Sequence, residues 1–245
     1  MNFIGIIPAR YESTRFPGKP LAMLNNKPMI QWVYENLARA VENVWVATDD
    51  ERIYKTVEKF GGNAVETLSA HQSGTDRCAE AARKLSGKTN FDVVINVQGD
   101  EPFILAEQIQ LLKSCFETHA EIATLIKKID STEELFNPNR PKVVIDKQQN
   151  ALYFSRSPIP FVRGKEKEKW LANHTFWAHI GMYAYKSEVL QKITKLNQGA
   201  LELTESLEQL RWLENGFKIK TAETVHQSIG IDTPEDLEQA LQLLG

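Results

Sequence analysis

The 245-residue chain holds only two cysteines, and their surroundings exclude more than their number does. Cys78 and Cys115 sit in the helix-like stretches "DRCAEAARKL" and "LLKSCFETHA", without ligand spacing or a disulfide framework. Both read as packing residues in a reduced, cytoplasmic compartment. Long apolar runs are missing as well. None approaches the roughly 20 residues that cross a bilayer, so no membrane insertion is expected. The chain enters its first strand without a charged and then apolar leader, so no signal peptide is expected either. Basic excess is lacking: 29 Lys and Arg face 32 Asp and Glu, a formal charge of -3. That balance argues against a general nucleic-acid binder. Two glycine signatures are absent too. Without G-x-x-x-x-G-K-[ST] there is no Walker A loop, and without G-x-G-x-x-G a dinucleotide-dependent dehydrogenase is disfavoured. No repeat or low-complexity segment occurs.

What remains is ordinary globular material, 42% hydrophobic and 25% charged. "FIGIIPA" (Phe3–Ala9) reads as a buried strand. "PMIQWVYENLARA" places apolar residues at Ile30, Val33, Tyr34 and Leu37, which is helical spacing. "NVWVATD" is a strand, "DERIYKTVEKFGG" a helix stopped at Gly61 and Gly62, and "SGTDRCAEAARKLSG" a helix capped by Ser73 or Thr75. "FDVVINVQGDEP" is a strand ending in an acidic turn, and "AEQIQLLKSCFETH" a helix. Strand–helix alternation predicts a mainly parallel sheet with helices on both faces, an α/β, Rossmann-like class. Past about Asp130 the texture changes. "KVVIDKQQNALYFSRSPIP" predicts two strands joined by the turn Asp146–Asn150, and "HTFWAHIGMYAY" another strand. "LELTESLEQLRWLENG" predicts one amphipathic helix ended by Gly216. "FKIKTAETV" and "TPEDLEQALQLL" predict a strand and a helix capped at Thr233, while "RGKEKEKW" reads as a solvated loop. The expected organisation is one compact unit: residues 1–130 bind a nucleotide, 131–216 form an antiparallel insertion, and 217–245 return to the main body.

In parallel sheets ligands gather at the carboxyl ends of strands. Three polar clusters fall there: Arg10–Lys19, Thr48–Asp50 and Gln98–Glu101. Arg10, Arg15 and Lys19, with Gly18 beside them, suit an oligophosphate. Asp100 then suits the Mg2+ that travels with phosphates, and Asp232 offers a second carboxylate after "SIGI". Asp232 is equally placed to cap the following helix. "HQSGTDR" sets Ser73, Gly74, Thr75 and Arg77 at a helix start, a phosphate- or base-binding end and also an ordinary cap. His71 alone reads as structural. His179, Gly181, Tyr183 and Tyr185 share one face of a strand, either core or site. Glu205, Glu208, Gln209 and Arg211 read as solvated helix partners.

Taken together, "IIPARYESTRFPGKPL", "VATDD", "HQSGTDRCAE", "NVQGDEP", "ALYFSRSPIP", "HIGMYAY", "ESLEQLRWLENG" and "GIDTPEDLE" resemble the 3-deoxy-manno-octulosonate cytidylyltransferases nearly end to end. The resemblance implies a nucleotidyltransferase fold whose antiparallel insertion serves sugar binding and dimerisation. It implies transfer of CMP from CTP to an eight-carbon acidic sugar for lipopolysaccharide synthesis, by a cytoplasmic homodimer using Mg2+. It implies that Arg10, Ser13, Arg15 and Lys19 hold the triphosphate, with Arg15, Lys19 and Asp100 catalytic. Ser73, Gly74, Arg77 and Gln98 would meet the nucleotide, and Asp100 and Asp232 the metal. Gln98, Arg156, His179, Tyr183, Glu208 and Gln209 would line the sugar pocket. "MYAYK" and "LELTESLEQLR" vary the family pattern, so the sugar is read as Kdo or its 8-amino analogue. A sialic-acid cytidylyltransferase and a non-catalytic nucleotide sensor are the alternatives.

Overall fold

A computed structural model describes residues 1–227 and 230–244. Along the chain run β1 (Phe3–Ala9), the short β2 (Met23–Leu24) and β3 (Lys27–Pro28), α1 (Met29–Ala38), β4 (Asn43–Thr48), α2 (Glu51–Lys59), β5 (Ala64–Glu66), α3 (Gly74–Leu85), β6 (Val93–Asn96) and α4 (Ala106–Ser114). They are followed by β7 (Ile122–Lys128), α5 (Thr132–Phe136), β8 (Lys142–Ile145), β9 (Ala151–Ser155), α6 (Trp170–Asn173) and β10 (Trp177–Lys186). The last elements are α7 (Ser187–Ile193), α8 (Ala200–Glu205), α9 (Gln209–Glu214), β11 (Ile219–Glu223) and α10 (Pro234–Leu244).

Two compact units result. The first holds residues 1–110, 184–194 and the described C-terminal segment; the second holds 111–183 and 195–227. In the first, β1 pairs parallel with β4 on one side and β6 on the other, and β4 pairs with β5. Ile4, Ile6 and Ile7 of β1 are fully buried, as a strand covered on both faces requires. Helix α1 buries Met29, Ile30, Val33 and Leu37, one helical stripe. A Cβ on Gly5 would stand 2.7 Å from Leu37 Cδ2, so that residue's smallness sets how closely α1 lies on the sheet. Asp50 caps α2 by accepting from the Arg52 and Ile53 amides. Ser73, not Thr75, caps α3, accepting from the Asp76 amide at 3.1 Å. The predicted parallel α/β arrangement is thus present here.

In the second unit β11 pairs parallel with β7, so strand 219–223 belongs there, whereas the sequence reading grouped 217–245 with the main body. Strands β8 and β9 form the expected antiparallel hairpin, and β8 also pairs with β10. Asp146 builds the turn: its Oδ1 accepts from the Gln148 and Asn150 amides, both at 2.8 Å. Strand β7 was not isolated from the sequence. Ile129, Leu135, Trp170, Phe176 and Ala178 form a core cluster here, so the charge-rich stretch before Trp170 is exposed but ends on a buried anchor.

The single helix expected over Leu201–Gly216 is a correction. Ser206 is left-handed, at φ 52°, and splits it into α8 and α9. Arg156 meets the break: its Nε donates to Glu205 O at 2.6 Å and its Nη2 to Ser206 O at 3.2 Å. Carbonyls at a helix end lack the amide of a following turn, so the guanidinium stabilises this end. The solvated reading of Gln209 and Arg211 fails with it, since both are buried. Arg211 is ion-paired with Glu202 at 2.9 Å and lies 3.4 Å from Glu208.

Candidate active site

In the first unit, β1 ends at Ala9 and the chain turns through Arg10–Gly18 before Lys19. Gly18 closes this loop by donating its amide to Tyr11 O at 2.8 Å. It sits at φ 72°, against the Tyr11 ring, a conformation suited to glycine. Lys19 therefore enters a 3-10 turn with its side chain directed inward, only 13% exposed. Its Nζ lies 2.5 Å from Asp100 Oδ2 and 3.0 Å from Asp232 Oδ1. Arg15 Nη2 lies 3.1 Å from Asp232 Oδ2.

Two backbone features bring the aspartates together. After β6 the chain crosses Pro8 closely, where a Cβ on Gly99 would be 3.2 Å from Pro8 O. Ile231 then donates its amide to Asp100 O at 2.9 Å, delivering Asp232 alongside. Asp232 does not cap α10 with its carboxylate. Thr233 Oγ1 accepts from the Asp236 amide, and Asp236 Oδ2 accepts from the Asp232 and Thr233 amides. This reciprocal cap leaves the Asp232 carboxylate to the cations. The expected apolar strand before it falls partly on Ser228 and Ile229, outside the described residues; Gly230 and Ile231 are not in a strand.

Charge follows the geometry. Burial acts to lower the Lys19 pKa, but Asp100 and Asp232 outweigh it and leave it raised. Burial acts to raise the Asp232 pKa, and Lys19 with Arg15 reverses the sign. Glu101, by contrast, is pushed up to about 8, by burial first and by Asp100 second.

A cavity of about 250 Å³ opens over this cluster. Arg10, Ser13, Arg15, Lys19, Ser73, Gly74, Arg77, Gln98, Asp100 and Asp232 all line it, so every residue read as nucleotide- or metal-binding meets in one place. Helix α3 points its capped start at it. A Cβ on Gly74 would be 3.1 Å from Gln98 Oε1. Arg77 lines the cavity from behind, its Nη1 held by Thr67 Oγ1 at 2.6 Å and Asp49 Oδ1 at 3.0 Å. Asp49 therefore serves Arg77, and Asp50 serves α2, so the Thr48–Asp50 cluster supports the site without lining it. Sequence reasoning set His71 aside, yet it lines the cavity and its ring contacts Glu80. Burial acts to raise the Glu80 pKa; Lys84, His71 and the Leu68 amide overcome this and lower it to about 2. The signal was Glu80 nine residues after His71, one helix turn beyond Arg77.

Two carboxylates converging on one shared cation position fit Mg2+, which takes one or two carboxylates and leaves its other positions to phosphates and water. Among the described residues no cluster of three or more potential metal-ligating side chains occurs. An all-protein cage of the kind preferred by zinc is thus not what these donors offer.

The remaining sugar candidates lie in the second unit. His179 and Tyr183 pack with tilted rings, centroids 5.3 Å apart, and Tyr183 meets Trp212 edge-on at 5.2 Å. Burial, with Glu208 adding to it, raises the Tyr183 pKa. Burial lowers the His179 pKa to about 3, so this imidazole is neutral. Gln209 is buried at the start of α9, next to Glu208. Arg156 Nη1 also donates to Pro138 O at 3.1 Å, in addition to the carbonyls ending α8.

A family model described as Cytidylyltransferase matches residues 4–243. The chain is 59% identical to a 3-deoxy-manno-octulosonate cytidylyltransferase of Parabacteroides distasonis, covering 100% of this chain and 98% of that one. It is 57% identical to the enzyme of the same name from Bacteroides thetaiotaomicron, with the same coverages. A solved CMP:2-keto-3-deoxy-manno-octonic acid synthetase complexed with CTP superposes with a TM-score of 0.92 at 42% identity, covering 100% and 98% of the two chains. A 4-diphosphocytidyl-2C-methyl-D-erythritol synthase from Anaerococcus prevotii shares the fold at TM-score 0.62 and 13% identity, covering 99% and 98%. With its loop of cations facing paired aspartates on a parallel sheet, the chain belongs to the cytidylyltransferase family, among the 3-deoxy-manno-octulosonate cytidylyltransferases.

Proposed function

We propose that this protein transfers the cytidylyl group of CTP to 3-deoxy-manno-octulosonate (Kdo), giving CMP-Kdo and pyrophosphate for lipopolysaccharide synthesis. The observation that carries this reading is the convergence of Arg15 and Lys19 with Asp100 and Asp232 in one cavity. The names of the relatives and the CTP complex of the similar structure support both substrates. No helix among the described residues is long and apolar enough to cross a membrane, and we take the enzyme to work as a homodimer in the cytoplasm.

The reaction is a direct displacement. The anomeric hydroxyl oxygen of the sugar forms a bond to the α-phosphorus as the bond to pyrophosphate breaks. No protein nucleophile is needed, and catalysis rests on positioning and charge neutralisation. Asp100 and Asp232 would hold Mg2+, which when bound neutralises phosphate charge and favours ionisation of the attacking hydroxyl. Lys19 and Arg15 balance the charge that grows on the departing pyrophosphate. Arg10 and Ser13 hold the triphosphate from the same loop. The start of α3, with Ser73 and Gly74, presents backbone N–H groups to the nucleotide. Arg77 acts by fixing the segment before α3 through Thr67. Gln98 reaches the nucleotide and the sugar. Arg156, His179, Tyr183, Glu208 and Gln209 receive the acidic sugar, with the neutral imidazole serving as a hydrogen-bonding group.

Pyrophosphate release tests the reading. CTP and Mg2+ are supplied with Kdo, with 8-amino-Kdo or with a sialic acid. Release with Kdo above the other two supports it. Preference for 8-amino-Kdo or sialic acid changes the sugar, and binding of CTP without release from any sugar makes the protein a sensor.

A further inference from the structure

Thr124 lies on β7 and is fully buried. Its Oγ1 has four polar neighbours: Met182 O at 2.9 Å, Ile180 O at 3.1 Å, His179 Nε2 at 3.0 Å and the Tyr183 phenol. A threonine hydroxyl carries one proton and two lone pairs. The two backbone carbonyls can only accept. If the Thr124 proton pointed at the imidazole, both carbonyls would face oxygen lone pairs at hydrogen-bonding distance. If it points at a carbonyl, the imidazole nitrogen must itself carry hydrogen, or two lone pairs meet at 3.0 Å. The fewest lone pairs are opposed when Thr124 donates to one β10 carbonyl and accepts from His179 Nε2–H, because only the other carbonyl then faces an oxygen lone pair. His179 is neutral, so a proton on Nε2 leaves Nδ1 with a free electron pair.

We propose that Thr124 sets the tautomer of His179, and that Nδ1 of this ring thereby accepts a hydrogen bond from a hydroxyl of the acidic sugar. The inference rests on the reading of His179 as a sugar-pocket residue. Thr124 is then a positioning residue. It touches no reacting atom, yet it decides whether the imidazole offers the sugar an acceptor or a donor. The ring's orientation is held independently by Phe154, edge-on at 5.0 Å, and by the His179 amide, which donates to Pro141 O at 2.8 Å. Those contacts fix where the ring sits, and the Thr124 hydroxyl at 3.0 Å from Nε2 distinguishes its two tautomers.

The test begins with the unmodified protein. Long-range 1H–15N correlation on 15N-histidine-labelled enzyme should show His179 protonated at Nε2 and bare at Nδ1. Thr124→Val removes the hydroxyl at nearly constant shape, and Thr124→Ser restores it. Val should shift the proton wholly or partly to Nδ1 and raise the KM for Kdo about five- to tenfold, the weight of one hydrogen bond. The KM for CTP should move less than twofold. Ser should return both readouts to the wild-type values. Thermal melts accompany each variant, and the wild-type spectrum answers even if Thr124→Val fails to fold. A wild-type proton on Nδ1, or a Thr124→Val protein with unchanged tautomer and unchanged Kdo KM, overturns the inference. His179→Ala separates the two claims. If it raises the Kdo KM while the tautomer is wrong, the pocket reading stands and the Thr124 role falls. If it leaves the Kdo KM unchanged, the pocket reading falls and takes the Nδ1 acceptor with it.

Discussion

Lys19 Nζ stands 2.5 Å from Asp100 Oδ2, although the two residues are 81 positions apart in the chain. This pair joins the loop after β1 to the turn after β6 and fixes where positive and negative charge meet in the cavity.

Replacing Asp100 with Asn keeps the shape and removes the charge. Turnover should fall at least ~100-fold, the scale seen for loss of a catalytic electrostatic partner. Steady-state pyrophosphate release checks it, and a rate within a few-fold of wild type would remove Asp100 from the metal site. Chelation of divalent ions should abolish release in the wild type, and added Mg2+ should restore it.

Arg15 is more exposed than Lys19, with 64% of its side chain accessible, and it pairs with Asp232. Arg15→Ala should lower kcat/KM for CTP about tenfold or more, the range of a charge-assisted hydrogen bond. The Kdo KM should stay within twofold. A rise in the Kdo KM with unaltered CTP kinetics would assign Arg15 to the sugar.

Glu80 gives a pH signature. Its folded carboxyl sits at about 2 against an ordinary value of 4.5. A lowered carboxyl contributes stability above the unfolded pKa and loses it as pH falls through the folded one. The difference in Tm between wild type and Glu80→Gln should therefore be full above about pH 5 and shrink toward pH 2. A difference independent of pH over that window would show that the Glu80 charge does not hold the segment carrying Leu68 and His71.

The Arg211–Glu202 pair is buried, with side chains 9% and 7% exposed. Arg211→Met leaves Glu202 charged and buried without its ion-pair partner and should cost about 3–5 kcal/mol, read by urea denaturation. The double variant Arg211→Met, Glu202→Leu should recover most of that loss. Failure to recover would mean that packing, not the stranded charge, sets the penalty.

Much of this architecture was legible in the sequence because local rules and burial point the same way. Ile4, Ile6 and Ile7 announce a strand covered on both faces, and Asp146 and Asn150 announce their turn. The cation loop and the Asp100 turn were legible as strand-end clusters, which a parallel sheet collects at one edge. The Asp232 carboxylate was ambiguous, because a capping residue and a free carboxylate look alike until Asp236 is seen to take over the cap. The break at Ser206 was illegible for a different reason. Nothing in "LTESLEQL" forbids a continuous helix; the left-handed turn is met by Arg156, which directly follows β9. His71 was missed because its partner Glu80, nine residues on, meets it only once α3 is folded.

Ile231 has one more implication, for the order in which the protein is made. Lys19 meets Asp100 across 81 residues but Asp232 only across 213. A nascent chain on the ribosome can lay down β1, β4, β5 and β6 long before the second aspartate is translated. Until Ile231 packs with Leu24 and Met29, the lysine has one acid to face. The second acid therefore reaches Lys19 only after nearly all of the chain has been made.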